Sequence, residues 1–249
     1  MKKNTWLAGL FIGLALPAAT AQDVAKEPGA VAALNKMGAY LRNLKSFQVK
    51  AQVTDEEVLN DGQKLTYERT TEILAQLPNR LYAKVIGDRS DNVFFYNGTT
   101  FTLFQPSAGY YATVNAPPTL AKLAEVAYDK YNIELPLEDL FLWGSDKVDT
   151  STLTGAFDAG PATVDGLTCE HYAFRQPGLD WQIWIQLGDH PLPRKIVLTT
   201  LTDDARPQHI AVYSWNLAPS YNDAAFTFDP PENAKKIVFA SAQSGAGNK

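Results

Sequence analysis

From residue 46 onward, apolar and polar residues alternate with period two in run after run, and the runs end at turn signals. Phe47, Val49, Ala51 and Val53 alternate with Gln48, Lys50, Gln52 and Thr54. Trp181, Ile183, Ile185 and Leu187 alternate with Gln182, Trp184 and Gln186. Successive side chains of a strand point to opposite faces, so such a run is a strand with one face buried. The breaks suit tight turns: Asn60-Asp61-Gly62, Asn97-Gly98 and Asp165-Gly166 tolerate positive φ, and Pro78-Asn79 bends the chain. Short connections of this kind join antiparallel neighbours. Strands do not alternate with helices, which argues against a doubly wound parallel sheet. The chain is also rich in rings, with 5 Trp, 11 Tyr and 12 Phe, residues that suit pleated, half-buried surfaces. The expected fold class is mainly β with short helices, arranged as a curved, incompletely closed antiparallel β-barrel covered by a helical lid.

Two stretches break the strand pattern. Over 30–44, Val31, Leu34, Met37, Leu41 and Leu44 recur at steps of three and four, the stripe of an amphipathic helix. Gly38 inside it costs up to ~1 kcal/mol against Ala, so a close packing contact is expected there. Over 117–143 the meander is interrupted by a helical lid insertion. Thr119 is placed to cap a helix with Leu120, Leu123, Ala124 and Ala127 on one face. Leu135-Pro136-Leu137 is expected to open a second short helix carrying Leu137, Leu140 and Phe141, ended by Trp143-Gly144. Two apolar helices inserted into a meander must cover a mouth or a face of the sheet.

The first 21 residues read as a secretory signal. Lys2 and Lys3 precede an apolar run from Trp6 to Leu16, followed by Ala19-Thr20-Ala21 with cleavage after Ala21. The run is too short for a stable membrane anchor, and no later stretch is long and apolar enough to be an integral membrane segment. The expected location is the periplasm, with residues 22–249 forming one domain and 240–249 a flexible tail. Loss of Lys2 and Lys3 takes the net charge from −5 to −7. An acidic chain lacks the basic face that nucleic-acid binding needs, so no nucleic-acid partner is expected.

Chemistry-bearing motifs are sparse. The histidines, His171, His190 and His209, have no metal-site spacing, and the single Cys169 cannot form an internal disulfide. Cys169 and His171 lie two apart on a strand and share a face, which admits a thiol–imidazole reading, but a buried small cysteine is the simpler one. No nucleophile elbow, phosphate loop or dinucleotide fingerprint occurs. The acidic pairs Glu56-Glu57 and Asp203-Asp204 sit beside turns as solvated strand ends. No enzyme, metal or cofactor is expected.

Several landmarks run in order along the chain: the helix ending at Leu44, Ser46-Phe47 opening the first strand, and Pro78-Asn79 before Leu81. The hairpin Asn97-Gly98 with Pro106 follows, then the helical insertion and Phe226-Thr227-Phe228-Asp229-Pro230-Pro231. In these the sequence resembles the periplasmic lipoprotein-carrier (LolA-like) superfamily, and more closely a family of predicted periplasmic proteins of unknown function. The resemblance implies a half-barrel with helices as a lid over a hydrophobic cavity, and carriers of this kind hold the acyl chains of a lipoprotein. The carriers have an arginine immediately before the Pro-Asn pair, where it helps hold the lid; here that position is Leu77.

The expected function is a periplasmic binding or carrier module that holds a lipid or a lipoprotein acyl chain, its partner an acylated protein and an outer-envelope protein. The expected cavity liners on the helices are Met37, Leu41, Leu120, Leu123, Leu137 and Phe141. Those on the strands are Phe47, Leu81, Phe101, Leu103, Trp181, Ile183, Ile185 and Leu198. The alternatives are a scaffold protein with a filled barrel and, less favoured, a hydrolase built on His171.

Overall fold

The computed structural model describes residues 26–89, 91–137 and 150–240. Twelve strands form one sheet, in the spatial order β12-β6-β5-β4-β3-β2-β1-β11-β10-β9-β8-β7. The first six make a meander: β1 (Ser46–Val58), β2 (Lys64–Gln76), β3 (Arg80–Gly87), β4 (Asp91–Tyr96), β5 (Thr100–Gln105) and β6 (Tyr110–Asn115). A second meander runs through β7 (Gly155–Val164), β8 (Leu167–Gln176), β9 (Leu179–Gln186), β10 (Pro193–Thr200) and β11 (Gln208–Asn216). The two join where β1 pairs with β11, Gln48 opposite Asn216 and Asp55 opposite His209. The outermost strands, β12 (Lys235–Lys236) and β7, do not pair with each other, so the sheet curves without closing. This is the open half-barrel expected from the sequence.

Register shows which side chains share a face. One row reads Phe47, Ala75, Leu81, Tyr96, Phe101, Val114 across β1 to β6. A parallel row reads Val53, Ala211, Ile196, Ile183, Tyr172 across β1 and β11 to β8. Both rows lie on one face, and both helices pack on it. Helix α1 (Pro28–Asn43) buries Ala30, Leu34, Met37, Gly38 and Leu41 against Trp181, Ile183 and Ile185. Gly38 is among the buried residues of this helix. Helix α2 (Leu120–Tyr131) is capped by Thr119, whose hydroxyl accepts from the Lys122 amide at 3.3 Å, and ends at Asn132 in the left-handed region. Leu120, Leu123 and Ala124 face the first meander.

The turns form as their residues dictate. Gly62 closes the β1–β2 hairpin at φ +85°, and Gly98 closes β4–β5 at φ +93°. A Cβ on Gly98 would also come within 2.8 Å of the Asn79 amide, so this position is closed to larger residues. Two register shifts, at Asp158/Gly160 and Pro193/Lys195, interrupt the alternation. The second expected helix does not begin where the sequence suggested. Pro136 and Leu137 form a turn, and Leu137 has φ +54°, a left-handed conformation that a helix cannot continue through. The positions expected to follow it, Leu140, Phe141 and Trp143, lie outside the described residues, as do the signal and residues 241–249 of the tail.

The opposite face also carries rings. Tyr82, Phe95, Phe104 and Tyr111 are neighbours there, and Phe228 covers them, with ring centroids at 5.2 Å from Phe95, 5.2 Å from Phe104 and 4.9 Å from Tyr111. Phe226 is buried beside Tyr221, and Arg80 stands over its ring. The Phe-Thr-Phe segment therefore seals the outer face of the first meander. The chain then rounds the sheet edge as β12, parallel to β6, and Phe239 packs on the inner face against Phe101 and Tyr131.

Candidate functional site

Three segments meet at one end of the helix-bearing face. The first is the junction between α1 and β1, where the Leu44 amide donates to the Leu41 carbonyl at 3.2 Å and ends the helix. The second is the turn from β2 to β3. Its Leu77 amide donates to the Lys45 carbonyl at 2.8 Å. The third is the start of α2, whose Leu120 amide donates to the Pro78 carbonyl at 2.8 Å. The Tyr96 hydroxyl donates to the Pro117 carbonyl at 2.5 Å and ties the approach to α2 onto β4. Burial pushes the pKa of this phenol up to about 12, so it stays a donor over the physiological range.

These backbone links frame a cavity of about 430 Å³ open to solvent. Its walls are Leu41, Leu44, Phe47, Leu77, Pro78 and Leu120, with Arg42, Lys45, Thr119 and Ala121 completing the lining. The volume lies within the ~300–1,000 Å³ range of small-molecule sites, and apolar walls with few polar groups are their usual lining. The lining carries no histidine, cysteine or carboxylate.

Of the expected liners, Leu41, Phe47 and Leu120 border this cavity. Leu81, Phe101 and Leu123 lie in the core under α2, and Leu103, Leu137 and Leu198 pack partly buried against that core. Met37, Trp181, Ile183 and Ile185 lie under α1. Phe141 lies outside the described residues. The two clusters meet at Leu44, Leu198, Trp215 and Leu217. Leu44, Leu77, Pro78, Ala121, Arg42 and Lys45 are the lining residues that periodicity missed.

The other reactive groups sit apart from this cavity. The Cys169 thiol is buried and donates to the Leu167 carbonyl at 3.6 Å, and burial pushes its pKa up, away from the reactive thiolate. His171 stacks on Trp184 with centroids 4.0 Å apart and bonds Gln182 at 3.0 Å. His190 bonds the Tyr40 hydroxyl at 2.6 Å, and His209 bonds Asp55 at 2.6 Å. Among the described residues no cluster of histidine, cysteine and carboxylate side chains is arranged to hold a metal ion. Among them, too, no helix is long and apolar enough to cross a membrane.

The model of a family described as "Predicted periplasmic protein (DUF2092)" matches residues 30–240. The chain belongs to this family. The match spans both meanders and both helices, and it agrees with the periplasmic location expected from the sequence. No curated protein matches significantly. Among solved structures the chain is similar to an uncharacterized conserved protein from Thermus thermophilus, at 10% identity and TM-score 0.46, over 84% of this chain and 99% of that one. It is similar to lipoprotein LppX from Mycobacterium tuberculosis at 11% identity and TM-score 0.41, over 79% and 100% of the two chains. It is likewise similar to a LolA superfamily protein from Nitrosomonas europaea at 12% identity and TM-score 0.36, over 80% and 97%. With scores below 0.5 these likenesses leave the fold assignment to the strand order and register described above.

Proposed function

We propose that this protein is a non-enzymatic periplasmic carrier that holds an apolar chain, of a lipid or an acylated protein, in the cavity between its two helices. The observation that supports this reading is the open cavity of about 430 Å³ walled by leucines, Phe47 and Pro78. Water in such a cleft finds few hydrogen-bond partners, whereas an acyl chain removes apolar area from water on both sides. At ~0.8 kcal/mol per CH₂, even half of a sixteen-carbon chain contributes about 6 kcal/mol before ordering costs. No bond need be made or broken, in keeping with the unreactive lining.

The test is native mass spectrometry of the protein purified from the periplasm, with organic extraction of bound material, together with uptake of the neutral apolar fluorophore N-phenyl-1-naphthylamine. A co-purifying acylated species or saturable probe uptake is the expected result. An empty protein that takes up no probe would overturn the reading.

A further inference from the structure

The carrier reading concerns the tail of a ligand; the mouth of the same cavity carries information about its head. Two of its lining residues, Arg42 and Lys45, are cations, and none is an acid. Elsewhere acids prevail, with 27 Asp and Glu against 22 Lys and Arg. Arg42 has a structural reason to be where it is, since it lies in the last turn of α1, where a cation complements the helix dipole. Lys45 does not. It follows the end of α1, is exposed, and its ammonium has no partner among the described residues. The start of α2 also lines the cavity, and it has no acid in its first turn to offset the positive end of its dipole.

We infer that the cavity takes a single-chain amphiphile with an anionic head, a carboxylate or a phosphate, whose tail lies along Leu44, Leu77 and Leu120 and whose head meets Lys45 at the rim. The inference rests on the carrier reading and deepens it. The arrangement is economical: the anion stays in water, where its desolvation cost is small, while the tail enters the apolar cleft. A rim contact in high dielectric is individually modest, so it selects among ligands of equal tail length and does not supply most of the affinity.

The experiment is displacement of N-phenyl-1-naphthylamine by dodecanoate, dodecyl phosphate and dodecan-1-ol, all below their aggregation concentrations. Either or both anions should displace the probe at about five- to tenfold lower concentration than the alcohol. Which of the two is preferred separates a fatty-acid source from a phosphorylated one. Lys45→Glu should abolish the preference for the anions over the alcohol, Lys45→Arg should keep it, and raising the salt to about 0.5 M should shrink it. Ala121→Trp, which fills the cleft, should weaken all three ligands and so locate them. If the alcohol competes as well as the anions, or the preference survives Lys45→Glu, the inference is overturned while the carrier reading stands. If the wild-type protein takes up no probe, the carrier reading itself fails and takes the inference with it.

Discussion

The two ends of β1 present opposite chemistry on the same face of the sheet. At one end Phe47 lies in a row of Ala75, Leu81, Tyr96 and Phe101 beside the apolar cavity. At the other end, eight residues and ~26 Å along the strand, Asp55 lies between Arg69 and His209, bonded to both. Beyond it Arg89 stacks on Tyr67 with its guanidinium 3.6 Å from the ring centroid and pairs with Glu57. A cleft of about 340 Å³ lies here too, lined by Asp55, Glu56, Glu57, Glu68, Arg69 and Arg89 among others. Volume alone does not separate the two clefts; their lining does. One offers apolar surface to a ligand, while in the other most charges already satisfy one another. The face therefore has one apolar end and one self-paired polar end.

The contrast can be broken most sharply at the apolar end. Leu81 is fully buried in the row under α2, and Leu81→Ala should cost about 2–5 kcal/mol in urea unfolding through lost transfer energy and the hole left behind. A loss below about 1 kcal/mol would show that this face is loosely packed. The same end should also be the one sensitive to alkali. Tyr96 has its pKa raised, so the stability it contributes is complete below the ordinary tyrosine value near 10 and is lost as pH rises through about 12, up to about 3 kcal/mol in all. Alkaline unfolding followed by phenolate absorbance should show a smaller loss in Tyr96→Phe than in the wild type, the remainder coming from Tyr40, Tyr82 and Tyr172, whose phenols burial also pushes up.

The polar end should respond to acid instead, and less. Glu56 has its carboxyl held below the usual range, first by the Lys64 ammonium and then by the Gln208 amide, each at 2.9 Å. A lowered carboxyl contributes stability above its unfolded value near 4.3 that is lost as pH falls through the lower folded value. Because the Lys64 side chain is 38% exposed, Glu56→Gln should cost under about 1 kcal/mol at pH 7, and the cost should shrink as pH falls below the ordinary carboxyl range. A cost that does not change with pH would mean that packing, not charge, is what Glu56 provides.

The strands and their order within each meander were legible because alternation and turn residues are local signals. Phe47 to Val53 and Trp181 to Ile185 show their buried face from spacing alone. The pairing of β1 with β11 is not written locally, since it joins residues as far apart as Asp55 and His209, 154 positions along the chain. The helix start expected at Leu135-Pro136-Leu137 is a turn there, because an apolar run after a proline fits a turn as well as a helix start. The cavity was half legible for a related reason. Leu41, Phe47 and Leu120 lie on stripes that periodicity finds, whereas Leu44, Leu77 and Lys45 line it by standing at the ends of elements, where spacing carries no face. The sequence also showed that two strand faces were apolar without showing the cover, which Phe228 supplies from far along the chain.

The course of residues 228–239 ties the two faces of the sheet together. Phe228 sits on the outer face, Lys235 and Lys236 border β6, and Phe239 closes on Phe101 from within. Without these residues the first meander would have a bare ring cluster on its outer face and an unpaired strand at its rim. Such surfaces invite association with other chains. Residues 228–239 therefore shield the first meander on its outer face, at its edge and on its inner face at once.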